Sequence, residues 1–229
     1  MWCGLKESLR LSQVAYLDRL PVGLEDGEML SEGREQAVVW SRSHQKRLLV
    51  AFRGTDDDWR EWLQDFRAWK VTTPIGRVHA GLWKSLEVLM TKILPYLQQL
   101  DETWRVSLTG HSKGGGMALM CSQFVSTPTR VVTFGAPRVY GAGSARHALH
   151  RANTWEVILN ADVVPRVPRI NYAHVGNVIY CDRNSRWWLN PPLWRRALDM
   201  ALSLKGSLGD HSLTAYALAV QNPSLGAVL

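Results

Sequence analysis

The chain has 229 residues, 46% of them hydrophobic and 21% charged. That suffices to bury the core of one α/β domain and excludes a disordered or fibrous chain. The net charge of +7 suits an anionic partner without selecting one, and no run of ~20 apolar residues signals a transmembrane helix.

The start, Met1-Trp2-Cys3-Gly4-Leu5-Lys6-Glu7, lacks the basic and then apolar pattern of a secretory signal. The expected location is therefore cytoplasmic, or outside the cell by a route without a cleavable signal. Cys3, Cys121 and Cys181 show no C-x-x-C spacing. They predict neither a disulfide framework nor a zinc site, and no metal or other cofactor is expected.

Leucines and valines at mostly helical spacing predict a helix over 5–20, ended by Pro21 and Gly23. Ala37–Trp40 and Arg47–Phe52 read as paired strands. The stretch 56–70 is acidic and then rich in Trp, and 72–76 breaks the pattern. Leu82–Leu100 predicts a long amphipathic helix with a kink at Pro95. Strand Trp104–Leu108, helix Gly114–Val125 and strand Arg130–Phe134 follow. Helix Ala142–His150, strands Thr154–Leu159 and Ala173–Tyr180, helix Leu193–Leu204 and a helix over 211–220 complete the chain. Strands alternating with helices predict an α/β fold around a mostly parallel sheet. No linker or repeat divides it, so residues 1–229 read as a single domain.

Between strand 104–108 and the next helix lies Gly110-His111-Ser112-Lys113-Gly114. G-x-S-x-G between a strand and a helix is a nucleophile elbow. The sharp turn exposes a serine Oγ beside a helix N-terminus that favours negative charge. A serine nucleophile needs a general base, and the base needs an orienting acid, in the chain order Ser, acid, His. His147 and His150 lie upstream of every candidate acid, and His174 opens a strand. His211, in a glycine-containing loop before a helix, is the best base. Asp162 follows strand 154–159, at the carboxyl end where α/β sheets bind ligands. Taken singly, Asp162 is equally a turn aspartate and His211 a helix-start histidine; together they fit one order. The oxyanion donors are expected to be the backbone N–H of Lys113 and that of Thr55, which follows strand 47–52.

Several further blocks accompany these residues: Phe52-Arg53-Gly54-Thr55, Val78-His79-Ala80-Gly81-Leu82, Gly110 to Gly115, Thr133-Phe134-Gly135-Ala136-Pro137-Arg138-Val139, the stretch from Asn160 to Pro168, and Asp210-His211. In this order the chain resembles the class 3 lipases, an α/β-hydrolase family, from about residue 5 to 216. The resemblance implies an α/β-hydrolase fold with Ser112 as nucleophile, Asp162 as acid, His211 as base, and Thr55 and Lys113 at the oxyanion hole. It implies a serine carboxylic-ester hydrolase acting on lipid acyl esters. The family usually has Leu where this chain has Lys113, which keeps the amide donor and is expected to add a cation at the mouth of the site.

The family's lid position corresponds here to 57–66, where Trp59, Trp62, Leu63 and Phe66 form one helical stripe. Such a stripe either covers the serine and turns out onto lipid or packs permanently on the core. The segment 183–196 mixes Trp with Arg, a combination suited to anionic lipid surfaces or to a cap over the sheet edge. No nucleic-acid-binding module accompanies it, and the oligomeric state is not readable. Two alternatives stand beside the lipase reading: a phospholipase A1 working on anionic membranes, and an inactive lipid-binding module on the same scaffold.

Overall fold

The computed structural model describes residues 2–24, 26–55, 69–160, 162–202 and 211–221. Twelve strands among them form two sheets. The main sheet is built from β1 (Gly27–Glu32), β2 (Glu35–Arg42), β3 (Arg47–Phe52), β6 (Arg105–His111), β7 (Thr129–Phe134), β9 (Thr154–Leu159), β11 (Asn177–Cys181) and β12 (Trp187–Leu189). They lie side by side in that order. The five strands from β3 to β11 are parallel, and antiparallel strands flank them at both edges. A smaller sheet, ordered β10-β8-β5-β4, comprises β4 (Lys70–Thr73), β5 (Gly76–His79), β8 (Tyr140–Gly141) and β10 (Tyr172–Ala173).

The central strands are apolar on consecutive residues because helices cover both their faces. Leu48 to Phe52 of β3 are all buried. On one face pack α2 (Ala80–Gln98), through Leu82, Leu86, Leu89 and Ile93, and α3 (Lys113–Cys121), through Met117, Ala118 and Met120. The imidazole of His79 starts α2 by accepting the Leu82 N–H at 3.3 Å. On the other face α1 (Trp2–Val14) sets Leu5 and Leu9 against Phe134, Val157 and Tyr216. Tyr216 belongs to α6 (Leu213–Gln221), which packs beside α1. A short α4 (Ala142–Ala145) and α5 (Leu193–Leu202) complete the helices of the described residues.

Several bounds differ from the sequence expectation. The helix expected over 142–150 stops at Ala145, and α1 ends at Val14 rather than residue 20. The break at 72–76 is the turn of the β4–β5 hairpin, where Thr73 Oγ1 donates to Gly76 O at 2.8 Å. The single strand expected over 173–180 is two strands on different sheets, divided at Gly176, whose φ is 80°. The mostly parallel sheet with helices on both faces is the α/β-hydrolase arrangement.

Candidate active site

Ser112 stands between β6 and α3 with φ 55° and ψ −126°, a region that residues with a side chain avoid. Its surroundings impose that geometry. The Ser112 N–H donates to Phe134 O at 2.9 Å, and its carbonyl accepts the Gly116 N–H at 3.3 Å. A Cβ on Gly110 would overlap the carbonyl of Gly114, and one on Gly114 would overlap the carbonyl oxygen of Phe52. Only glycine lets helix, elbow and neighbouring strand approach this closely.

His211 Nε2 lies 2.9 Å from Ser112 Oγ, and His211 Nδ1 lies 3.0 and 3.1 Å from the two oxygens of Asp162. Serine, imidazole and carboxylate thus form one chain of hydrogen bonds. Asp162 follows β9, and His211 immediately precedes the turn into α6. All three residues are buried, Ser112 and Asp162 completely. The Asp162 carboxylate accepts two further bonds, from the Tyr216 hydroxyl at 2.7 Å and the Val164 N–H at 2.9 Å. Tyr216 is itself held by the Leu159 N–H, which donates to its hydroxyl at 3.2 Å.

A residue that sequence reasoning passed over holds His211 in place. His111 Nε2 is 2.7 Å from the backbone carbonyl of His211, and His111 Nδ1 is 2.9 Å from the Tyr16 hydroxyl. Burial, and then the nearby charge of His211, push the His111 pKa well below its ordinary value of 6.5. A neutral imidazole has one N–H, and a carbonyl can only accept. The proton therefore sits on Nε2, and the Tyr16 hydroxyl donates to Nδ1. The two imidazole rings lie 4.8 Å apart, tilted by 30°. A neutral His111 can sit there without opposing positive charge on His211. The signal was present in the sequence, as the second residue of the elbow motif, but its direction depends on residues about a hundred positions away.

The loop after β3 abuts the elbow. Phe52 pairs with Gly110 across adjacent parallel strands, so Thr55 and Lys113 each stand three residues beyond paired positions. A Cβ on Gly54 would run into the backbone carbonyl of His111. The Thr55 hydroxyl oxygen is buried and has no hydrogen-bond partner among the described residues, an arrangement that costs stability unless a ligand completes it. Lys113 opens α3, where the first N–H groups of a helix have no partner within it.

The side chain of Lys113 departs from expectation. Instead of adding a cation at the mouth of the site, its Nζ turns back onto Glu35 of β2, 2.9 and 2.8 Å from the two carboxylate oxygens. Ser85 donates to the same carboxylate at 2.9 Å. The pair is largely buried, at 11% and 14% side-chain exposure, so its charges cancel within the fold.

The lid candidates Trp59, Trp62, Leu63 and Phe66 lie outside the described residues. His174 is engaged elsewhere: its Nδ1 is 2.5 Å from the buried carboxylate of Glu156, which also accepts the Val175 N–H. Among the described residues no group of His, Cys, Asp and Glu converges as a metal-ligand set, and no helix is long and apolar enough to cross a membrane.

The fold and the strand–serine–helix turn define an α/β-hydrolase framework, and comparison with known proteins specifies which one. The sequence model of the class 3 lipases matches residues 49–172, and the chain belongs to that family. A lipase of Rhizomucor miehei is 27% identical over 166 residues, which is 65% of this chain and 46% of that protein. A chloroplastic phospholipase A1 of Arabidopsis thaliana is 28% identical over 118 residues, 44% of this chain and 18% of that protein. The chain thus spans less than half the length of these curated relatives. Among solved structures, the triacylglyceride lipase of Rhizomucor miehei has a TM-score of 0.65 at 22% identity, covering 80% of this chain and 81% of that one. Lipase II of Rhizopus niveus has a TM-score of 0.68 at 21% identity, covering 78% and 80%. Both share the fold.

Proposed function

We propose that this chain is a serine hydrolase of carboxylic esters, acting on lipid acyl esters through Ser112, His211 and Asp162. The observation that carries the reading is the position of His211, with one ring nitrogen on Ser112 Oγ and the other on Asp162. His211 takes the proton as Oγ attacks the acyl carbonyl, and Asp162 fixes the tautomer and stabilises the imidazolium. The N–H groups of Thr55 and Lys113 stabilise the tetrahedral oxyanion, with the Thr55 hydroxyl as a further donor. His211 then protonates the leaving alcohol, and water resolves the acyl-enzyme by the same route.

The test combines turnover of p-nitrophenyl butyrate with labelling by a fluorophosphonate. Ser112→Ala is expected to lower turnover by at least ~10³-fold and to abolish labelling. Cys121 does not compete for the label, because it is buried and its thiol is pushed up to about 12. Labelling or turnover that survives in Ser112→Ala overturns the assignment. A phospholipase A1 activity is the second reading, favoured by the Arabidopsis relatives of that name. Acyl release from phosphatidylglycerol compared with triolein separates the two.

A further inference from the structure

Helix α5 is turned inside out. An ordinary surface helix buries its apolar stripe and shows water its polar one. In α5 the inward residues are Arg196 and Asp199, only 7% and 8% exposed. The outward residues are Leu193, Trp194, Ala197, Leu198 and Ala201, at helical spacing along one side. Leu193 is 72% exposed, Trp194 64% and Leu198 50%. The polar side is anchored rather than accidental. Asp199 accepts the Tyr180 hydroxyl at 3.1 Å and lies 3.8 Å from Arg183 Nε. The Arg196 carbonyl accepts from Arg166 Nη1 at 3.4 Å. Rotating the helix to hide the leucines would break these contacts, so the apolar side belongs to the folded state.

The charge around this stripe indicates what covers it. Residues 183–202 hold four arginines and one acid, Asp199, which is buried and already engaged. Arg195 stacks 3.7 Å over the ring of Trp188 and 5.6 Å from that of Trp194. Among the described residues no carboxylate pairs with Arg195 or Arg186. An outward stripe of leucine and tryptophan, flanked by cations without counter-charge, is the pattern of a helix lying in the boundary of an anionic bilayer. The helix is tied to the catalytic acid: Arg166, which holds the Arg196 carbonyl, also donates from Nε to the Asp162 carbonyl at 3.0 Å.

We propose that α5, with Trp188 and Arg195, is a docking face for an anionic lipid surface. It brings the carboxyl end of β9, and with it Asp162, to the bilayer. The purpose of docking rests on the ester-hydrolase reading above; the binding itself needs no turnover.

The experiment uses full-length Ser112→Ala protein, so that lipid is not consumed, in co-sedimentation with vesicles of phosphatidylcholine alone or mixed with phosphatidylglycerol. Partitioning is expected to favour the mixed vesicles and to fall with added salt. The double variant Trp194→Asp, Leu198→Asp is expected to lower the partition coefficient about 30-fold. Arg186→Gln and Arg195→Gln should each lower it roughly fivefold, on anionic vesicles only. Circular dichroism and thermal melting of the variants check that they fold. The same substitutions with Ser112 intact should leave hydrolysis of soluble p-nitrophenyl butyrate unchanged. Equal partitioning to both vesicles, or an unchanged double variant, overturns the proposal. So does a concentration-dependent dimer that the double variant abolishes, which would make the stripe a contact between copies. Docking without ester hydrolysis overturns only the enzymatic reading, and hydrolysis without docking only the lipid face.

Discussion

Tyr216→Phe removes one oxygen atom and leaves the ring, which packs edge-on against Phe134 and His111. That oxygen donates to Asp162 at 2.7 Å and accepts the Leu159 N–H at 3.2 Å. Its loss deprives a buried carboxylate of one of three kinds of donor and strands a buried amide. Hydrogen bonds to charged groups are worth about 1.5–3 kcal/mol, and a stranded amide costs about 1–3 kcal/mol. Because Val164 and His211 still serve the carboxylate, a total near 2 kcal/mol is expected, lowering Tm by ~4–8 °C at this chain length. The kinetic effect has a definite sign. A carboxylate with fewer donors holds more charge toward His211 and stabilises its imidazolium. Imidazolium forms as Ser112 attacks, so kcat/KM should hold or rise while stability falls. Thermal melting and kcat/KM for p-nitrophenyl butyrate at about pH 8 read both effects. A lower Tm accompanied by a loss of kcat/KM greater than about tenfold would refute the electrostatic reasoning and make Tyr216 a residue that positions Asp162.

Thr55→Val should cost ~10²-fold in kcat while leaving Tm unchanged or raised, because the hydroxyl it removes is buried without a partner; a destabilised variant of normal kcat would contradict the oxyanion assignment. Lys113→Met should lose about 3 kcal/mol in urea unfolding by leaving Glu35 uncompensated, and Lys113→Met combined with Glu35→Leu should recover most of it. Neither variant should change the preference for anionic over neutral lipid. The depressed pKa of His111 sets an acid-side slope: below about 6.5 the unfolded chain binds a proton that the folded chain refuses. Stability therefore falls with pH from 6.5 toward the folded pKa, by up to ~1.4 kcal/mol per unit. His111→Gln, which can still donate to the His211 carbonyl, should flatten that slope in urea titrations across pH 4–7.

The readable parts of this molecule were those in which local chemistry and position coincide. Gly110 and Gly114 around Ser112 marked a strand-to-helix turn because no other residue fits it. Asp162 at a strand end and His211 before a helix were selected by chain order, and the fold brings both to the serine. The unread parts depend on distant partners. The direction of Lys113 is set by Glu35, 78 residues earlier. The role of His111 is set by Tyr16 and by the His211 backbone. Edge strands β1 and β12 were missed because one is largely exposed and the other is three residues long, so neither carries the continuous apolar run that betrays β3. The pairing of Trp with Arg over 183–196 was visible, but only the buried Asp199 shows which side of α5 faces out.

The hydrogen-bond chain through Ser112, His211 and Asp162 joins residues that are far apart along the polypeptide, Ser112 and His211 being 99 positions from one another. During synthesis the strand, elbow and helix that display the serine are complete long before the imidazole leaves the ribosome. Tyr216, which supports the acid and closes the apolar layer over Phe134 and Val157, emerges later still. The serine is therefore synthesised well before its imidazole partner, and the hydrogen-bond chain can close only once the segment that opens α6 is in place. The last described helix is thus the keystone of the arrangement: a truncation before residue 211 would leave the elbow intact and Ser112 without a hydrogen-bond partner in His211.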